Sequence, residues 1–509
     1  QTEIKHSYPH CWRCKSPIIF RATKQWFLKL DHKALRKRLL EVINKDIQWV
    51  PSSGKERIYS MVELRPDWCL SRQRYWGVPI PALVCSHCQE EILEPKVIDN
   101  FAGFVLKEGT DCWFQRDVKD FLPSGFKCPY CKEDNFLKGS DILDVWFDSG
   151  VSHQAVLKKR KDLRFPCDLY LEGSDQHRGW FQSSLIPSMC IDGMPPFKSV
   201  LTHGFVVDGK GQKMSKSLGN VISPFDVIKD YGSDILRLWV ASSDYNEDIR
   251  ISDKILSRIT EAYRKTRNTA RFILGNLYDF NPDKDKLSYE NLKRIDKWIL
   301  FKLATLIEDV TLAYEKFEFY KAFMGIYDFC NESLSMNYLD MIKGRLYTYS
   351  KDSKGRKAAQ AVMYEILGVL IKITAPMLVF SAEEIYKYMP KDTATKNIES
   401  VHLLDWPKIN PLFKKYQEPE LKPIIDLIPT VSKILEEKRN QGLIGSSFDA
   451  KINLLTNNQI RYKYLGSLKD EILEIFKVSQ VDIIKVDNLD PKLTRDSNYP
   501  DIAIEALKA

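Results

Sequence analysis

Two cysteine pairs, Cys85-Ser-His-Cys88 and Cys128-Pro-Tyr-Cys131, are separated by residues 89–127. Four thiolates in two C-x-x-C turns are the ligand set of a tetrahedral metal centre, so these two stretches must fold back onto each other to share one ion. The gap is longer than a zinc ribbon ordinarily has, which leaves free thiols, or Cys112 or His87 replacing one ligand, as alternatives. Residues 80–140 around them are irregular and rich in turn formers, and read as an insertion into a larger fold. A third pair, Cys11 and Cys14 in "HSYPHCWRCKSP", looks like half of another such site. The chain has eleven cysteines. Pairs of this kind in a large chain that does not read as secreted lead us to expect metal binding in a reducing compartment, with the cytoplasm as the default. Cys69, Cys167, Cys190 and Cys330 lie in apolar or mixed contexts and are expected to be buried.

A chain of 509 residues exceeds what one core holds, and three or four folded units are expected. Its 76 basic against 68 acidic residues give +8, compatible with a polyanionic partner without proving one. Membrane insertion is not expected: the most apolar run, "MYEILGVLIKITAPMLVF" from Met363, is broken by Glu365 and Lys372 and reads as a buried helix. Residue 1 is glutamine, so translation is expected to have begun upstream.

Residues 1–30 carry β-rich alternation in "SPIIFRATKQWFL", read as strands leaving a small metal knob. "DHKALRKRLLEVINK" predicts a helix with Asp31 as N-cap and Leu35, Leu39, Leu40 and Ile43 on one face. "DLYLEG" and "SVLTHGFVVDG" read as buried strands of a parallel sheet with sites at their ends. From about residue 232 long amphipathic stretches predict a helical bundle. A linker near 389–423 then precedes a last α/β segment whose helix closes at Gly442.

The strongest local signal is "FVVDGKGQKMSKSLGN", where a strand turns at Asp208-Gly209 into a glycine-bearing loop holding Lys213, Ser215, Lys216 and Ser217. Glycines let backbone approach an anion, lysines supply point charges, and hydroxyls add hydrogen bonds, so the loop can wrap phosphates; a merely solvated lysine loop is the rival reading. Ser223-Pro224 with Asp226 is a helix start.

"KMSKS" is the signature loop of class I aminoacyl-tRNA synthetases. The chain also resembles the bacterial-type isoleucyl branch of that family in "DWCLSRQRYWGVPIP" from Asp67, "DILDVWFDSG" from Asp141, "EGSDQHRGWFQSSL" from Glu172, "LRLWVASSDYNEDIRIS" from Leu236 and "YRKTRNTARFILGNL" from Tyr263. The resemblance implies a multidomain α/β plus α protein: the second half of a Rossmann-like catalytic domain with a zinc insertion, an anticodon-binding bundle, and a small C-terminal α/β segment. The expected divisions are 1–30, the edge of an editing insertion with half a zinc knuckle; 31–80, catalytic; 81–140, zinc-ribbon-like; 141–231, catalytic with the KMSKS loop; 232–290, stem contact; 291–400, anticodon bundle; and 401–509, linker and C-terminal domain.

It implies activation of L-isoleucine by ATP and transfer to tRNA(Ile). Lys213, Met214, Ser215, Lys216 and Ser217 would form the catalytic loop, with Lys213, Lys216 and His203 on ATP and Mg²⁺ assisting. Glu172, Gly173, Asp175 and Gln176 would hold the adenylate's ribose and the substrate ammonium, and His177 is a weaker nucleotide candidate. Trp146 and Trp180 would wall the isoleucine side chain, their rival reading being plain core. Lys254, Arg258, Arg264 and Arg267, with Lys265 and Arg271, would contact tRNA, while Trp298, Tyr314, Phe317 and Tyr320 are expected in the bundle core. Zinc is expected on Cys85, Cys88, Cys128 and Cys131. Partners of Cys11 and Cys14 are expected upstream of residue 1. None of the eight histidines begins the His-x-Gly-His stretch that the family uses for ATP, and no editing domain is found. An upstream segment or a second chain is therefore expected to carry the missing motif. A tRNA-binding or regulatory fragment without chemistry, or a valyl or leucyl relative, are the alternatives.

Overall fold

A computed structural model of the chain describes residues 7–11, 14–285, 288–416 and 420–509, with the side chain of Ser217 outside that description. Two compact units divide it, 1–205 and 206–509.

In the first unit a parallel sheet carries the residues of interest. Helix α1 (Leu35–Lys45) buries Leu35, Leu39 and Ile43 as its spacing predicts, with Val42 completing the face in place of Leu40, which is half-buried. It does not start at Asp31: Lys33 and Ala34 are left-handed, at φ 48° and 56°, and the Asp31 carboxylate takes the Arg36 guanidinium at 2.7 Å, so a charged partner displaces the cap. Strand β1 (Gln48–Val50) and helix α2 (Ser53–Glu63) follow. The expected strands in 16–28 reduce to Phe27–Leu28 paired with Trp68–Cys69; Ile19 and Phe20 are 86% and 77% exposed, because alternation alone supplies no sheet to bury them against.

The insertion is a small antiparallel sheet of β2 (Leu83–Cys85), β3 (Glu91–Ile92) and β4 (Phe136–Lys138), with α3 (Pro95–Glu108) beside it. Phe101, Trp113 and Phe121 give it a core of its own. The chain then returns through α4 (Val145–Gly150), β5 (Cys167–Gly173), α5 (Trp180–Ile191) and β6 (Phe197–His203). The sheet order is β1-β6-β5, all parallel. Strand β6 is central and nearly wholly buried; β5, expected to be buried, lies at the edge and leaves Leu171 52% exposed. Helix α5 is apolar and buried for most of its length, and α4 packs on it so closely that a Cβ at Gly150 would lie 1.9 Å from the Ser183 carbonyl. Only glycine fits there.

The second unit opens with β7 (Val206–Asp208), α6 (Pro224–Tyr231), α7 (Ser233–Ser242) and β8 (Ile249–Ile251), β8 pairing parallel to β7. Ser223 caps α6 as its sequence predicts, accepting from the Phe225 amide at 3.2 Å. The bundle comprises α8 (Asp253–Asn276), α9 (Arg294–Glu315), α10 (Phe319–Asp328), α11 (Lys354–Thr374) and α12 (Val379–Tyr388). The apolar run from Met363, expected as one buried helix, is buried in α11 only as far as Thr374; the chain then turns at Ala375–Leu378, where Pro376 cannot continue the helix, and enters α12 with Phe380 63% exposed. Trp298 is core, whereas Tyr314, Phe317 and Tyr320 are half-buried around it. Helix α13 (Ile428–Asn440) ends at Gly442, φ 71°, and leads to a mixed sheet of β9 (Ala450–Thr456), β10 (Gln480–Lys485), β11 (Thr494–Asp496) and β12 (Tyr499–Lys508), in the order β10-β9-β12-β11. No helix among the described residues is long and apolar enough to cross a membrane.

Candidate functional site

The carboxyl ends of parallel strands are where backbone groups and the loops behind them face outward, and the first unit puts most of its singled-out residues there. Gly173 and His203 are register partners at the ends of β5 and β6. A Cβ on Gly173 would stand 2.6 Å from Asp175 Oδ1 and 3.8 Å from His203 Cε1, so the three surround a space only glycine leaves open. The His203 Nδ1 lies 2.8 Å from the Gly204 carbonyl, an acceptor only, so Nδ1 donates there and Nε2 is the ring nitrogen left for a ligand. Gln176 donates to Asp175 at 2.8 Å and accepts from the Trp180 amide at 3.0 Å, tying that loop to the start of α5. Glu172 and Asp175 are exposed.

The two tryptophans come from different stretches and meet at Gly179. The Trp146 ring tip lies 3.1 Å from where a Gly179 Cβ would be, and Trp180 follows in sequence. Trp180 is stacked on Tyr170, centroids 4.1 Å apart and planes 7° apart, and its Nε1 donates to the Ser149 carbonyl at 3.0 Å. Trp146 is 43% exposed. What holds it is Asp144, buried, which accepts from Trp68 Nε1 at 3.0 Å, pairs with Arg72 at 2.9 Å and caps the Trp146 amide at 3.3 Å. Asp144 was not singled out from sequence, because its partners lie more than seventy residues away.

His177 is a correction. It is buried, stacked on Trp49 at 6.1 Å, with Nε2 only 2.9 Å from the position of a Gly54 Cβ, and burial holds its pKa below the usual range. A neutral ring closed in by core is not a nucleotide contact.

In the second unit the phosphate-loop candidate is organised by Asp208 and Asn220. Asp208 Oδ1 accepts from the Lys210 and Gln212 amides at 2.9 and 2.8 Å, and its Oδ2 accepts from Asn220 Nδ2 at 3.0 Å. Asn220 also accepts from the Ser215 amide at 2.9 Å and donates to the Lys213 carbonyl at 3.3 Å. The Asn220 side chain, then these amides, hold the Asp208 carboxyl below the ordinary carboxylate range. Met214 is half-buried against the apolar cluster that includes Val227 and Trp239, while Lys213 and Lys216 are exposed and without an ion pair to a described residue. Ser215 caps the short turn Lys216–Leu218, and the Ser217 side chain lies outside the described residues. Asn220 is a second residue missed in sequence, in plain view at the end of the quoted loop.

The four insertion thiols lie within 4.8 Å of one another, with Cys85 Sγ 3.5 Å from Cys131 Sγ and Cys88 Sγ 3.6 Å from Cys128 Sγ. Tetrahedral Zn–S bonds would set sulfurs about 3.8 Å apart, so the cluster can hold a metal ion with little movement. Cys112 is buried and takes no part, nor does His87. Both knuckles share one design: the amide after the second cysteine donates back to the first cysteine's carbonyl, and the residue there is left-handed (Gln89, φ 61°; Lys132, φ 69°). Cys11 and Cys14 repeat it. The Lys15 amide donates to the Cys11 carbonyl at 2.9 Å with φ 61°, although no third ligand joins them among the described residues. Of the cysteines expected to be buried, Cys330 is, its thiol pushed up to about 12 by burial; Cys69 and Cys167 are half-buried and Cys190 is exposed.

Lys254, Arg258, Arg264 and Arg267 are all exposed on α8. At roughly 100° per residue, Arg264, Arg267 and Arg271 project from a different face than Lys254, Arg258 and Lys265, so the helix has two basic edges rather than one. Lys265 also donates to the Tyr327 hydroxyl at 3.0 Å.

Residues 3–252 match the family described as class I tRNA synthetases (I, L, M and V), and residues 296–454 match the anticodon-binding domain of tRNA ligases. The isoleucine--tRNA ligase of Caldicellulosiruptor saccharolyticus is 51% identical over 96% of this chain and 52% of its own length. That of Thermotoga maritima is 48% identical over 95% and 52%. The chain thus spans about half the length of the curated relatives it matches. Among solved structures, the Mycobacterium tuberculosis methionyl-tRNA synthetase bound to methionyl-adenylate aligns over 79% of this chain and 71% of its own, with a TM-score of 0.54 at 17% identity. The LeuRS of Agrobacterium radiobacter K84, in its ternary complex with tRNA and LeuAMS, aligns over 83% and 51%, with a TM-score of 0.50 at 19% identity. These two bear on the fold alone: a class I α/β catalytic domain followed by anticodon-binding helices. With relatives near 50% identity over almost all its residues, and both family matches covering most of it, this chain belongs to the class I tRNA synthetases, on the isoleucine branch.

Proposed function

We propose that this chain is the part of an isoleucyl-tRNA synthetase that holds the amino acid and its adenylate and binds tRNA(Ile). The observation that carries the reading is the cluster of Gly173, Asp175, Gln176 and His203 at the ends of β5 and β6, beside Trp146 and Trp180, in a chain so similar to isoleucine--tRNA ligases. In the reaction an isoleucine carboxylate oxygen attacks the α-phosphorus of ATP, the bond to the β-phosphate breaks, and pyrophosphate leaves. A ribose hydroxyl of the tRNA then takes the acyl group and AMP leaves.

Asp175 and Glu172 suit the substrate ammonium and ribose hydroxyls, Gln176 fixes Asp175, and His203 Nε2 accepts a nucleotide hydrogen bond. Indoles at Trp146 and Trp180 give the side chain rigid walls. Lys213 and Lys216, without an ion pair among the described residues, neutralise charge developing on the phosphates; Mg²⁺ bound with ATP would supply further neutralisation of the same charge. Zinc on Cys85, Cys88, Cys128 and Cys131 would hold the insertion, and Cys11 with Cys14 is a preformed half-site for a metal shared with cysteines outside these residues. A His-x-Gly-His segment, also outside them, completes the ATP site. The exposed cations of α8 serve tRNA, and the cytoplasm is the compartment this reading requires.

The test is isoleucine-dependent ATP–pyrophosphate exchange, with a His-x-Gly-His segment supplied. Lys216→Ala should lower kcat by about 10²–10³ while leaving KM for isoleucine within a few-fold. An unchanged kcat would remove Lys216 from the chemistry.

A further inference from the structure

Helix α4 is six residues long, and both indoles of the proposed side-chain pocket are set by it. Trp146 is its second residue, while Trp180, on α5, donates from Nε1 to the Ser149 carbonyl at 3.0 Å. The spacing of the two walls therefore follows the placement of α4. Its carboxyl end is fixed by backbone packing, since Gly150 lies against the Ser183 carbonyl with no room for a Cβ. Its amino end is fixed by Asp144.

Asp144 is 5% exposed, and its carboxylate serves three donors. Oδ1 accepts from the Trp146 amide at 3.3 Å, and Oδ2 accepts from Trp68 Nε1 at 3.0 Å and from the Arg72 guanidinium at 2.9 Å. The Asp144 amide donates in turn to the Leu70 carbonyl at 2.6 Å. Serine or asparagine caps a helix about as well as aspartate does, so capping alone does not call for a buried charge. What the carboxylate adds is a tie between the start of α4 and the segment 68–72. Trp68 is itself core, and its ring lies 6.1 Å from that of Phe147, the residue after Trp146, so the tie ends in packed interior.

We propose that Asp144 is a positioning residue for amino-acid selectivity: it holds Trp146 at the distance from Trp180 at which the longer side chain of isoleucine makes contact. The proposal rests on the reading that these two indoles wall the isoleucine side chain. A wall that retreats by roughly 0.5–1 Å forfeits about a quarter to a half of its contact energy. Valine, one methylene shorter, has little of that contact to lose. Release of Asp144 therefore costs isoleucine more than valine, and the ratio between them records it.

The test is ATP–pyrophosphate exchange with isoleucine and with valine, on the protein supplied with its His-x-Gly-His segment. Asp144→Ala should raise KM for isoleucine about tenfold with kcat within about threefold, and should leave KM for valine within about threefold, so that the isoleucine-to-valine ratio of kcat/KM shrinks. Asp144→Asn, with one oxygen left for these donors, should lower the ratio by about threefold, and it supplies the reading where Asp144→Ala does not fold. In 5-fluorotryptophan-labelled protein the Trp146 fluorine resonance, assigned with Trp146→Phe, should be a single line in the parent and should shift or split in both variants. An unchanged ratio, or a loss of kcat/KM by the same factor for both amino acids, would overturn the proposal, the second because it marks a general loss of structure. So would a Trp146 resonance indifferent to both substitutions. Exchange by the parent separates this from the reading beneath it: a parent that exchanges with an unmoved ratio in the variants sinks the role of Asp144 alone, whereas a parent without isoleucine-dependent exchange sinks the activity and the selectivity claim with it.

Discussion

Asp208 shows how one side chain sets a functional loop. Its carboxylate collects two backbone amides and the Asn220 amide, and Asn220 in turn fixes the backbone at Lys213 and Ser215. These donors hold its pKa below the ordinary carboxylate range, so the charged form is the bound form. A depressed folded-state pKa contributes stability that is present above the unfolded value and is lost as pH falls through the lower folded one. The loop should therefore keep its order from neutrality down to pH about 4 and lose it only below. The Gln212 and Ser215 amide resonances, followed by NMR, should stay fixed over that range, and Asn220→Ala should move the Asp208 midpoint up toward its ordinary value. A normal midpoint in the parent would show that Asp208 does not organise the loop.

At the scale of elements, the bundle is pinned by a buried ion pair between helix α9 and the segment after α10. Asp296 and Arg345 are 0% and 1% exposed, joined by two bonds of 2.8 and 2.9 Å, and Tyr338 donates to the same carboxylate at 2.8 Å. Asp296→Ala should destabilise the unit by about 3–5 kcal/mol, because it strips a buried guanidinium of both its short bonds and leaves it only Glu474 at 3.5 Å, while Asp296→Leu combined with Arg345→Met should cost less. Denaturant midpoints measure both, and a single-variant loss under about 1 kcal/mol would contradict the account. None of this could be read from sequence. The chain reaches Tyr338 through a π-helix, Phe329–Tyr338, whose period is not the 3.6 that apolar spacing reports. An element with a strong period, such as α8, was legible as it stands, whereas "SVLTHGFVVDG" is divided at Gly204–Phe205 into β6 and β7, and the apolar pattern that runs on past Lys372 is broken after Thr374 into α11 and α12. The run 16–28 was not, since its alternation names two faces but no neighbour. The candidate site divided likewise: the stretches that carry the family resemblance point to Gly173, Asp175, Trp146 and Lys216, while Asp144 and Asn220 act through contacts that exist only once the chain is folded.

For the molecule as a whole, the cysteines make a stoichiometric claim. One zinc per chain is expected, on Cys85, Cys88, Cys128 and Cys131, and its chelation should loosen the insertion around Trp113 and Phe121 with the helical bundle of the second unit unaffected. Emission from the insertion and metal content by elemental analysis read both, and two zincs on this chain would show that Cys11 and Cys14 need no partner beyond it. The central claim is selectivity for isoleucine. Its direct measurement is ATP–pyrophosphate exchange with the His-x-Gly-His segment supplied, comparing kcat/KM for isoleucine, valine and leucine. The account predicts isoleucine ahead of valine by about 10–200-fold, the worth of one methylene in an apolar pocket, a limit long illustrated by this very enzyme class. Equal or faster exchange with valine or leucine would contradict it.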